Sequence, residues 1–352
     1  MTDSMSFDRP HGANPEKLYE ARGLPLPDRI VDFSTNANVL PWGGWDGLNL
    51  DLRRLLSSYP DDEATELRRV IAEREGRFVK GCSIDNILVV NGSNEAIYLA
   101  ASLFGGKKAA LWQPVYGEYL RALSAYGADV SDLFDADGLT GDTEALFLCN
   151  PRNPTGGYIE SEPLEKLFER YPRTLFVVDE AYVDFLAIEH RRLDFLRHRN
   201  AIILRSLTKI FHLSGARIGY VLACEERIAQ LRERQPVWSV NSVAQIVALA
   251  FMRDEDFIRE TRDFYAVETP RFAVEIEKAG FRTLPTRTNF FLVEIADDQK
   301  VIRALLERGL VVRHTRNFTG LDGRYIRVAT RAPGENDLLI RALAELRERG
   351  IS

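Results

Sequence analysis

Before residue 254, short apolar runs alternate with segments of helical spacing. In those segments apolar residues recur every three or four positions, which predicts amphipathic helices over residues 94–104, 117–126 and 163–171. Continuous apolar strands that alternate with helices are typical of a largely parallel sheet covered on both faces. The pattern therefore predicts a large α/β domain over residues 45–253. Its predicted strands cover residues 87–90, 109–112, 145–148, 174–178, 201–204 and 219–222.

The pattern changes near residue 254, where a smaller α+β domain is predicted over residues 254–352. Residues 1–44 are rich in proline and predict an N-terminal arm that packs on the small domain or on a dimer partner. The elements predicted in the small domain are a long charged helix over 254–279 interrupted by Pro270, an extended stretch over 281–294, a helix over 298–308, strands over 310–314 and 325–329, and a last helix over 335–349.

Composition narrows the function classes. The chain has 352 residues, 45% of them hydrophobic, and a net charge of −6, so no general attraction to nucleic acid or to an anionic membrane is expected. The longest mostly apolar segment, residues 240–252, is too short to span a bilayer, and residues 1–10 lack the apolar core of a secretory signal. A cytoplasmic location is therefore expected. The cysteines lack a C-x-x-C pair and the histidines lack an H-E-x-x-H spacing, so no metal site is expected.

Two polar segments follow predicted strands at turns. Asn91-Gly92-Ser93-Asn94-Glu95 joins a strand to a helix, so free amides and the positive helix end can bind an anion. An ordinary helix cap explains the same residues. Asn150-Pro-Arg-Asn153-Pro-Thr-Gly156-Gly157 is a rigid turn that can present the Asn153 amide inward, although a plain Pro/Gly turn is the alternative.

Two further segments carry charged side chains at strand ends. Asp179-Glu180-Ala-Tyr182 places two carboxylates after an apolar run, and a buried carboxylate needs a partner. A helix cap is the alternative there. Arg205-Ser206-Leu-Thr208-Lys209 is followed by Arg217, and a lysine desolvated beside other cations becomes a nucleophilic amine. The apolar neighbours of Lys209 disfavour the alternative of a solvated lysine at a helix end.

In this order and spacing, the four segments resemble the fold type I pyridoxal-phosphate enzymes, specifically the class I/II aminotransferases. The resemblance implies that Lys209 holds pyridoxal 5'-phosphate as a Schiff base and shuttles a proton at the substrate α-carbon. It implies that Asp179 faces the pyridine nitrogen and favours the protonated ring. Asn153 and Tyr182 match the residues that bind the ring hydroxyl oxygen. The phosphate site is matched by Gly92, Ser93, Asn94, Ser206, Thr208 and Arg217.

Two tyrosines extend this resemblance. Tyr116 falls where the family stacks an aromatic ring on the cofactor, although core packing explains a lone tyrosine equally well. Ser58-Tyr59-Pro60-Asp61 resembles a segment whose tyrosine reaches the cofactor phosphate of the neighbouring subunit. The resemblance therefore implies a homodimer with shared active sites.

Segments along nearly the whole chain carry a closer resemblance, namely His11-Gly12, Asp32-Phe-Ser-Thr-Asn36, Arg205-Ser-Leu-Thr-Lys209, Pro236-Val-Trp-Ser-Val-Asn241 and Gly320-Leu-Asp-Gly-Arg-Tyr-Ile-Arg327-Val-Ala-Thr-Arg331. They resemble the histidinol-phosphate aminotransferase and threonine-phosphate decarboxylase branch of the family, and the decarboxylase is the nearer of the two. The resemblance implies that Arg327 clamps the substrate carboxylate with help from Asn36. It also implies that Arg313, with His11 from the arm, faces a distal phosphate or other anion of the substrate. Where the branch usually has Asn-x-Asn-Pro, this chain has Asn36-Ala-Asn38-Val39, so the identity of the substrate is not carried over.

The reaction stays open between two outcomes. Pyridoxal chemistry breaks whichever α-bond stands perpendicular to the cofactor ring, and the same residues serve transamination and decarboxylation. We predict an aminotransferase acting on an amino acid or a phosphorylated amine or amino acid, with a threonine-phosphate decarboxylase-like lyase as the alternative. A catalytically inactive binding or regulatory protein is the third reading. Nucleotide binding is disfavoured because no G-x-G-x-x-G follows a strand and Gly105-Gly106-Lys107-Lys108 fails the P-loop pattern.

Overall fold

The computed structural model describes residues 14–48, 50–186 and 193–351. The strands in these residues are β1 (Val31–Asp32), β2 (Ile87–Val90), β3 (Lys108–Trp112), β4 (Asp129–Leu133), β5 (Ala145–Cys149), β6 (Leu175–Asp179), β7 (Ala201–Ser206), β8 (Gly219–Leu222), β9 (Phe290–Glu294), β10 (Leu310–Val311), β11 (Arg313–His314) and β12 (Tyr325–Ala329). The α-helices are α1 (Pro15–Ala21), α2 (Leu52–Ser57), α3 (Thr65–Glu75), α4 (Ser93–Ala101), α5 (Glu118–Ala125), α6 (Ser161–Arg170), α7 (Leu207–Ile210), α8 (Glu225–Arg232), α9 (Ser242–Arg253), α10 (Glu255–Lys278), α11 (Asp298–Leu306) and α12 (Pro333–Glu348).

A seven-stranded sheet forms the centre of the larger part, in the order β2-β8-β7-β6-β5-β3-β4. Only β8 runs antiparallel to its neighbours, β2 and β7. Strands β2, β5, β6, β7 and β8 are buried at every position, as expected for apolar runs with helices on both faces. The predicted α/β fold with a largely parallel sheet is confirmed.

Strand β4 was not predicted from the sequence. Its residues, Asp-Val-Ser-Asp-Leu, are exposed or half-buried, and it pairs only with β3 at the edge of the sheet. An edge strand is covered less than a central one, so it lacks the continuous apolar run that revealed the other strands.

A second, smaller core lies around an antiparallel sheet of order β11-β12-β9. Tyr19, Val31 and Phe33 from the first forty residues pack into this core, and β1 pairs in parallel with β10. The interruption predicted at Pro270 was wrong, because α10 is continuous through that residue. Its first half packs into the large core and its second half into the small one, and this packing outweighs the one backbone hydrogen bond that proline cannot donate.

The segment that follows β1 crosses from the small core to the large one. Its Asn38 backbone N–H donates to the Lys209 carbonyl oxygen at 2.8 Å, and its Nδ2 donates to the Ile210 carbonyl oxygen at 3.0 Å. Strands β3, β5, β6 and β7 are parallel, so their carboxyl ends meet at one edge of the sheet. That edge is where the polar segments of the sequence come together.

Candidate active site

Lys209 lies on the short helix α7, directly after β7. The residue keeps part of its surface open to solvent, while its amine lies deep among protein atoms. Burial, with the positive charges of Arg327 and Arg217, lowers the amine pKa to about 8, and Asp179 opposes the shift. At pH 7 roughly a tenth of this amine is therefore neutral. A neutral, enclosed amine is a nucleophile for a carbonyl carbon.

Asp179 ends β6 and is only 5% exposed. Its Oδ2 accepts a hydrogen bond from the Tyr119 hydroxyl at 2.7 Å, and its Oδ1 accepts one from the Ala181 backbone N–H at 3.0 Å. Burial raises the pKa of this carboxyl, whereas the two hydrogen bonds and the charge of Lys209 lower it. The partner that a buried carboxylate requires is thus Tyr119, which sequence reasoning missed. Its position in a helix of apolar spacing made it look like core.

Glu180 points away from Asp179, as expected for successive residues at the end of a strand. Its carboxylate lies 2.7 Å from Arg205, and both side chains are only 2% exposed. Arg205 also lies 3.7 Å from Glu75, which accepts a hydrogen bond from the Tyr220 hydroxyl at 2.7 Å. The two neighbouring carboxylates therefore differ in role, because Glu180 belongs to an ion cluster rather than to the Lys209 site.

A cradle of donors surrounds the turn between β2 and α4. Gly92 has φ +77°, and a Cβ there would lie 2.6 Å from Nη2 of Arg217. The Ser206 and Thr208 hydroxyl oxygens are 2.7 Å apart and buried. Helix amides, hydroxyls and a guanidinium are the donors with which proteins bind phosphate-like anions.

Close packing fixes the same turn from behind. A Cβ at Gly219 would lie 3.1 Å from the Ser93 backbone nitrogen, so β8 runs directly under the first residue of α4. Asn94 Oδ1 is buried and has no hydrogen-bond partner in the part of the chain that the structure describes. The six residues predicted at a phosphate site therefore lie on one turn and on the segment that carries Lys209.

Arg327, on β12, connects the two cores. Its Nη1 donates to Asn153 Oδ1 and its Nη2 donates to the Ser34 carbonyl oxygen, both at 2.5 Å. Its Nε has no hydrogen-bond partner among the described residues. Burial lowers the pKa of this guanidinium. The structure thus places a buried cation from the small core beside the turn after β5.

Tyr182 and Asn36 lie together beneath Arg327. Asn36 Nδ2 donates to the Tyr182 hydroxyl oxygen at 3.3 Å, and both residues are buried. The Tyr182 ring packs edge-on against Phe290 with 4.8 Å between centroids, while the Arg327 guanidinium lies 5.5 Å from that same ring. The predicted carboxylate-binding residues, Arg327 and Asn36, therefore lie close to Tyr182, the predicted partner of the ring hydroxyl.

Arg313 lies on β11, the strand that pairs with β12 of Arg327. Its Nη1 is 3.1 Å from His314 Nε2, and its Nη2 donates to Asn317 Oδ1 at 3.0 Å. Burial and the charge of Arg327 lower its pKa to about 9, whereas Tyr116 raises it. Burial raises the pKa of Tyr116 to about 12, and Asp179, Arg217 and Arg313 all act on it electrostatically. Tyr116 therefore lies near the charges of Asp179, Arg217 and Arg313. His314 and Asn317 are neighbours of Arg313 that the sequence did not reveal.

Two predicted site residues stand apart. Tyr59 is 77% exposed and stacks on Trp238 with 4.3 Å between ring centroids. His11 lies outside the described residues.

Two features are absent from the described residues. These residues contain no group of three or more His, Cys, Asp or Glu side chains arranged to hold a metal ion. None of their helices combines the length and apolar character needed to cross a membrane.

Comparisons with known proteins extend over most of the chain. A family model for class I and II aminotransferases matches residues 39–346. The threonine-phosphate decarboxylase of Salmonella typhimurium is 31% identical over 362 residues, covering 96% of this chain and 96% of that protein. The histidinol-phosphate aminotransferase of Thermoanaerobacter sp. is 31% identical over 353 residues, covering 94% of this chain and 96% of that protein. The crystal structure of L-threonine-O-3-phosphate decarboxylase from Porphyromonas gingivalis has a TM-score of 0.80 at 27% identity, covering 91% of this chain and 100% of that one.

Proposed function

Because the chain belongs to the class I and II aminotransferase family, we propose that it binds pyridoxal phosphate covalently through Lys209 and transfers amino groups. Enzymes of this family depend on that cofactor. The proposed substrate is an amino acid or a phosphorylated amine or amino acid. The two relatives described above are named for phosphorylated substrates, threonine phosphate and histidinol phosphate.

The observation that carries the proposal is the setting of the Lys209 amine. Its pKa of about 8 gives it a neutral fraction near physiological pH, and Asp179, Arg217 and Arg327 all act on it electrostatically. A lysine whose only purpose was structural would gain nothing from lying beside two arginines. The same amine can take and return a proton at the substrate α-carbon.

The surrounding residues fit pyridoxal phosphate. When bound, the cofactor supplies an electron sink that stabilises negative charge at the substrate α-carbon. Asp179 would face the ring nitrogen, and Asn153 and Tyr182 would bind the ring hydroxyl oxygen. Tyr116 would stack on the ring. The phosphate would lie in the cradle of Gly92, Ser93, Asn94, Ser206, Thr208 and Arg217, where a Cβ at Gly92 would displace the arginine.

The substrate would be held by the cations of the small core. Arg327 Nε and Asn36 Oδ1 are buried and have no hydrogen-bond partner among the described residues. Both side chains therefore retain a polar atom that can bind a ligand. We propose that they bind the substrate carboxylate. Arg313 would bind a distal anionic group, assisted by His11.

Decarboxylation is the second candidate, favoured by the 31% identity to threonine-phosphate decarboxylase over 96% of both chains. The two reactions differ in which α-substituent is held perpendicular to the ring, and Arg327 sets that orientation by gripping the carboxylate.

We also propose a homodimer in which Tyr59 reaches the phosphate site of the partner subunit. Tyr59, Leu56 and Val237 are large, exposed side chains, and an apolar surface of this kind is typical of an interface. Since Tyr59 points outward on its own subunit, a role at a phosphate requires a second copy.

Covalent capture of the cofactor tests the central assignment. Protein mixed with pyridoxal phosphate should absorb visible light, lose that band on borohydride reduction and carry the reduced label on Lys209 in peptide mapping. Lys209→Ala should abolish the band, whereas Lys166→Ala, at an exposed lysine paired with Glu162, should leave it unchanged. An unaltered chromophore and turnover in Lys209→Ala would overturn the assignment.

A single-turnover experiment separates the two reactions. The cofactor-loaded protein is mixed with amino acids and with their O-phosphorylated forms. Conversion of the cofactor to its amine form identifies transamination, and release of carbon dioxide with the cofactor unchanged identifies decarboxylation.

A further inference from the structure

Tyr119 is a buried tyrosine that the predicted site did not include. It lies on α5, is 1% exposed, and its hydroxyl donates to Asp179 Oδ2 at 2.7 Å. Its ring is held at a centroid distance of 6.0 Å from Tyr116 and 6.1 Å from Phe147. A side chain packed on these sides has one position for its hydroxyl, so the hydrogen bond is preorganised.

Both oxygens of Asp179 are engaged. Oδ2 accepts from Tyr119, and Oδ1 accepts from the Ala181 backbone N–H at 3.0 Å. Two donors on different oxygens fix the plane of the carboxylate as well as its position. Hydrogen bonds to a carboxylate favour its charged form, which offsets the cost of burying it.

We propose that Tyr119 is a positioning residue that keeps Asp179 charged and oriented toward the cofactor ring nitrogen. This inference rests on the proposed function, because it assigns Asp179 to a bound pyridoxal phosphate. Tyr119 touches neither substrate nor reacting atom and acts only through Asp179.

Through Asp179, the Tyr119 hydroxyl would affect whether the cofactor ring nitrogen is protonated. Without the Tyr119 hydroxyl, the Asp179 carboxylate would become more basic and, with pyridoxal phosphate bound, would compete better with the ring nitrogen for a proton. The ring would then carry less positive charge and would be a weaker electron sink. Burial already raises the pKa of Asp179, and Tyr119 is the first of the influences that lower it.

The test is Tyr119→Phe, which keeps the ring and removes the hydroxyl. Cofactor affinity is measured against pH, and the ring nitrogen is observed by NMR with 15N-labelled pyridoxal phosphate. A hydrogen bond to a charged group contributes enough that we expect about a tenfold fall in kcat with a smaller change in KM. The affinity lost on acidification should be lost at a higher pH than in the wild type, because Asp179 is protonated earlier. The nitrogen signal should move toward its unprotonated position.

Tyr98→Phe is the matched control. Its hydroxyl donates to another carboxylate, Glu118 Oε2, at 3.2 Å, and Glu118 precedes Tyr119 on α5. This variant should keep the wild-type pH profile and nitrogen signal. If Tyr98→Phe shifts both equally, or Tyr119→Phe shifts neither, the inference is overturned while the proposed function stands. If the wild-type protein binds no pyridoxal phosphate, the proposed function and the inference about Tyr119 are both rejected.

Discussion

At Lys209, burial and two arginines together work against a positive charge. The amine pKa of about 8 leaves a neutral fraction that a solvated lysine lacks at the same pH. The opposing influence of Asp179 keeps the shift moderate. The side chain is therefore suited both to forming a bond and to exchanging a proton.

The reactivity of Lys209 should follow this pKa. In the cofactor-free protein, labelling by an amine-directed reagent should rise with pH around a midpoint near 8, because the neutral form reacts. Peptide mass spectrometry measures each lysine separately. Lys166, whose pKa is raised by its hydrogen bond to Glu162, serves as the control and should react only at higher pH. Equal midpoints for the two lysines would contradict the enclosed setting of the amine.

Arg327 should act on substrate rather than on cofactor. Arg327→Lys keeps the charge but loses the paired N–H groups, so KM for amino acids should rise about tenfold or more while the cofactor stays bound. Steady-state kinetics and the visible absorbance measure the two effects. Arg324→Lys, at an exposed arginine that donates to the Gly320 carbonyl oxygen, should change neither. Loss of cofactor with unchanged KM would reject the role in substrate binding.

At the residue scale, the sequence revealed groups that follow strands and missed groups that come from elsewhere. Asp179 and Lys209 end buried runs, so position alone marked them. Tyr119 reaches Asp179 through tertiary packing, and no local spacing distinguishes it from an ordinary helix residue. The predicted roles of the individual residues stay predictions.

Among the elements, the β2–α4 turn is the most constrained. Gly92 combines a positive φ with a neighbouring guanidinium that a Cβ would meet. Strand β8 approaches the same turn so closely that Gly219 has no room for a side chain either. The turn is thus packed closely against the Arg217 guanidinium on one side and the backbone of β8 on the other.

Gly92→Ala should therefore weaken cofactor binding more than it weakens folding. Gly92 has φ +77° and ψ 157°, a backbone conformation essentially restricted to glycine, so an alanine there costs about 1–3 kcal/mol. The displaced Arg217 adds a loss specific to the phosphate. We expect the dissociation constant for pyridoxal phosphate to rise at least about tenfold by equilibrium dialysis. Gly106→Ala is the control, because it shares a positive φ of +71° but has no atom within 4 Å of its Cβ. Similar loss of affinity in both variants would mean that backbone strain alone is responsible.

The ion cluster of Glu180, Arg205 and Glu75 links the residue after β6, the strand that ends at Asp179, to β7, the strand that precedes Lys209. Arg205→Met removes the cation between two buried carboxylates, so the free energy of unfolding should fall by about 3–5 kcal/mol in a urea titration. Arg199→Met breaks an exposed pair with Glu226, which solvent screens, so it should leave the free energy of unfolding nearly unchanged. A small effect at Arg205 would show that the carboxylates are stabilised in another way.

Element prediction followed burial. The fully buried strands were predicted because covering both faces demands apolar residues throughout. The edge strand β4 is largely exposed and therefore does not need apolar residues at every position, so the sequence did not reveal it. The break predicted at Pro270 was wrong because both halves of α10 are held by packing against a core. Predictions from local sequence, such as a helix break at proline, failed where tertiary packing stabilised the element.

For the whole molecule, family membership predicted from four short segments is confirmed by the match over residues 39–346. Relatives with both of the predicted activities are similar to the chain at 31% identity. The choice between transamination and decarboxylation depends on the angle at which a substrate is held. Residue identities do not encode that angle, so the sequence could not settle it.

The shared-site proposal predicts complementation between subunits. Tyr59→Phe and Lys209→Ala proteins, each impaired alone, should regain activity when they are unfolded together and refolded. The mixed dimer would then have one site with both native residues. Activity assays before and after mixing measure the gain, and mixing two preparations of the same variant is the control. No gain on mixing would exclude a site built from two subunits.

Helix α10 connects the two cores without a break, over 24 residues. A helix of that length extends about 36 Å. Thr269, in its second half, accepts a hydrogen bond from the Thr330 hydroxyl just beyond β12, the strand of Arg327. A tilt of α10 by about 5° would displace one end by about 3 Å relative to the other, and would therefore change the distance between Arg327 and Lys209.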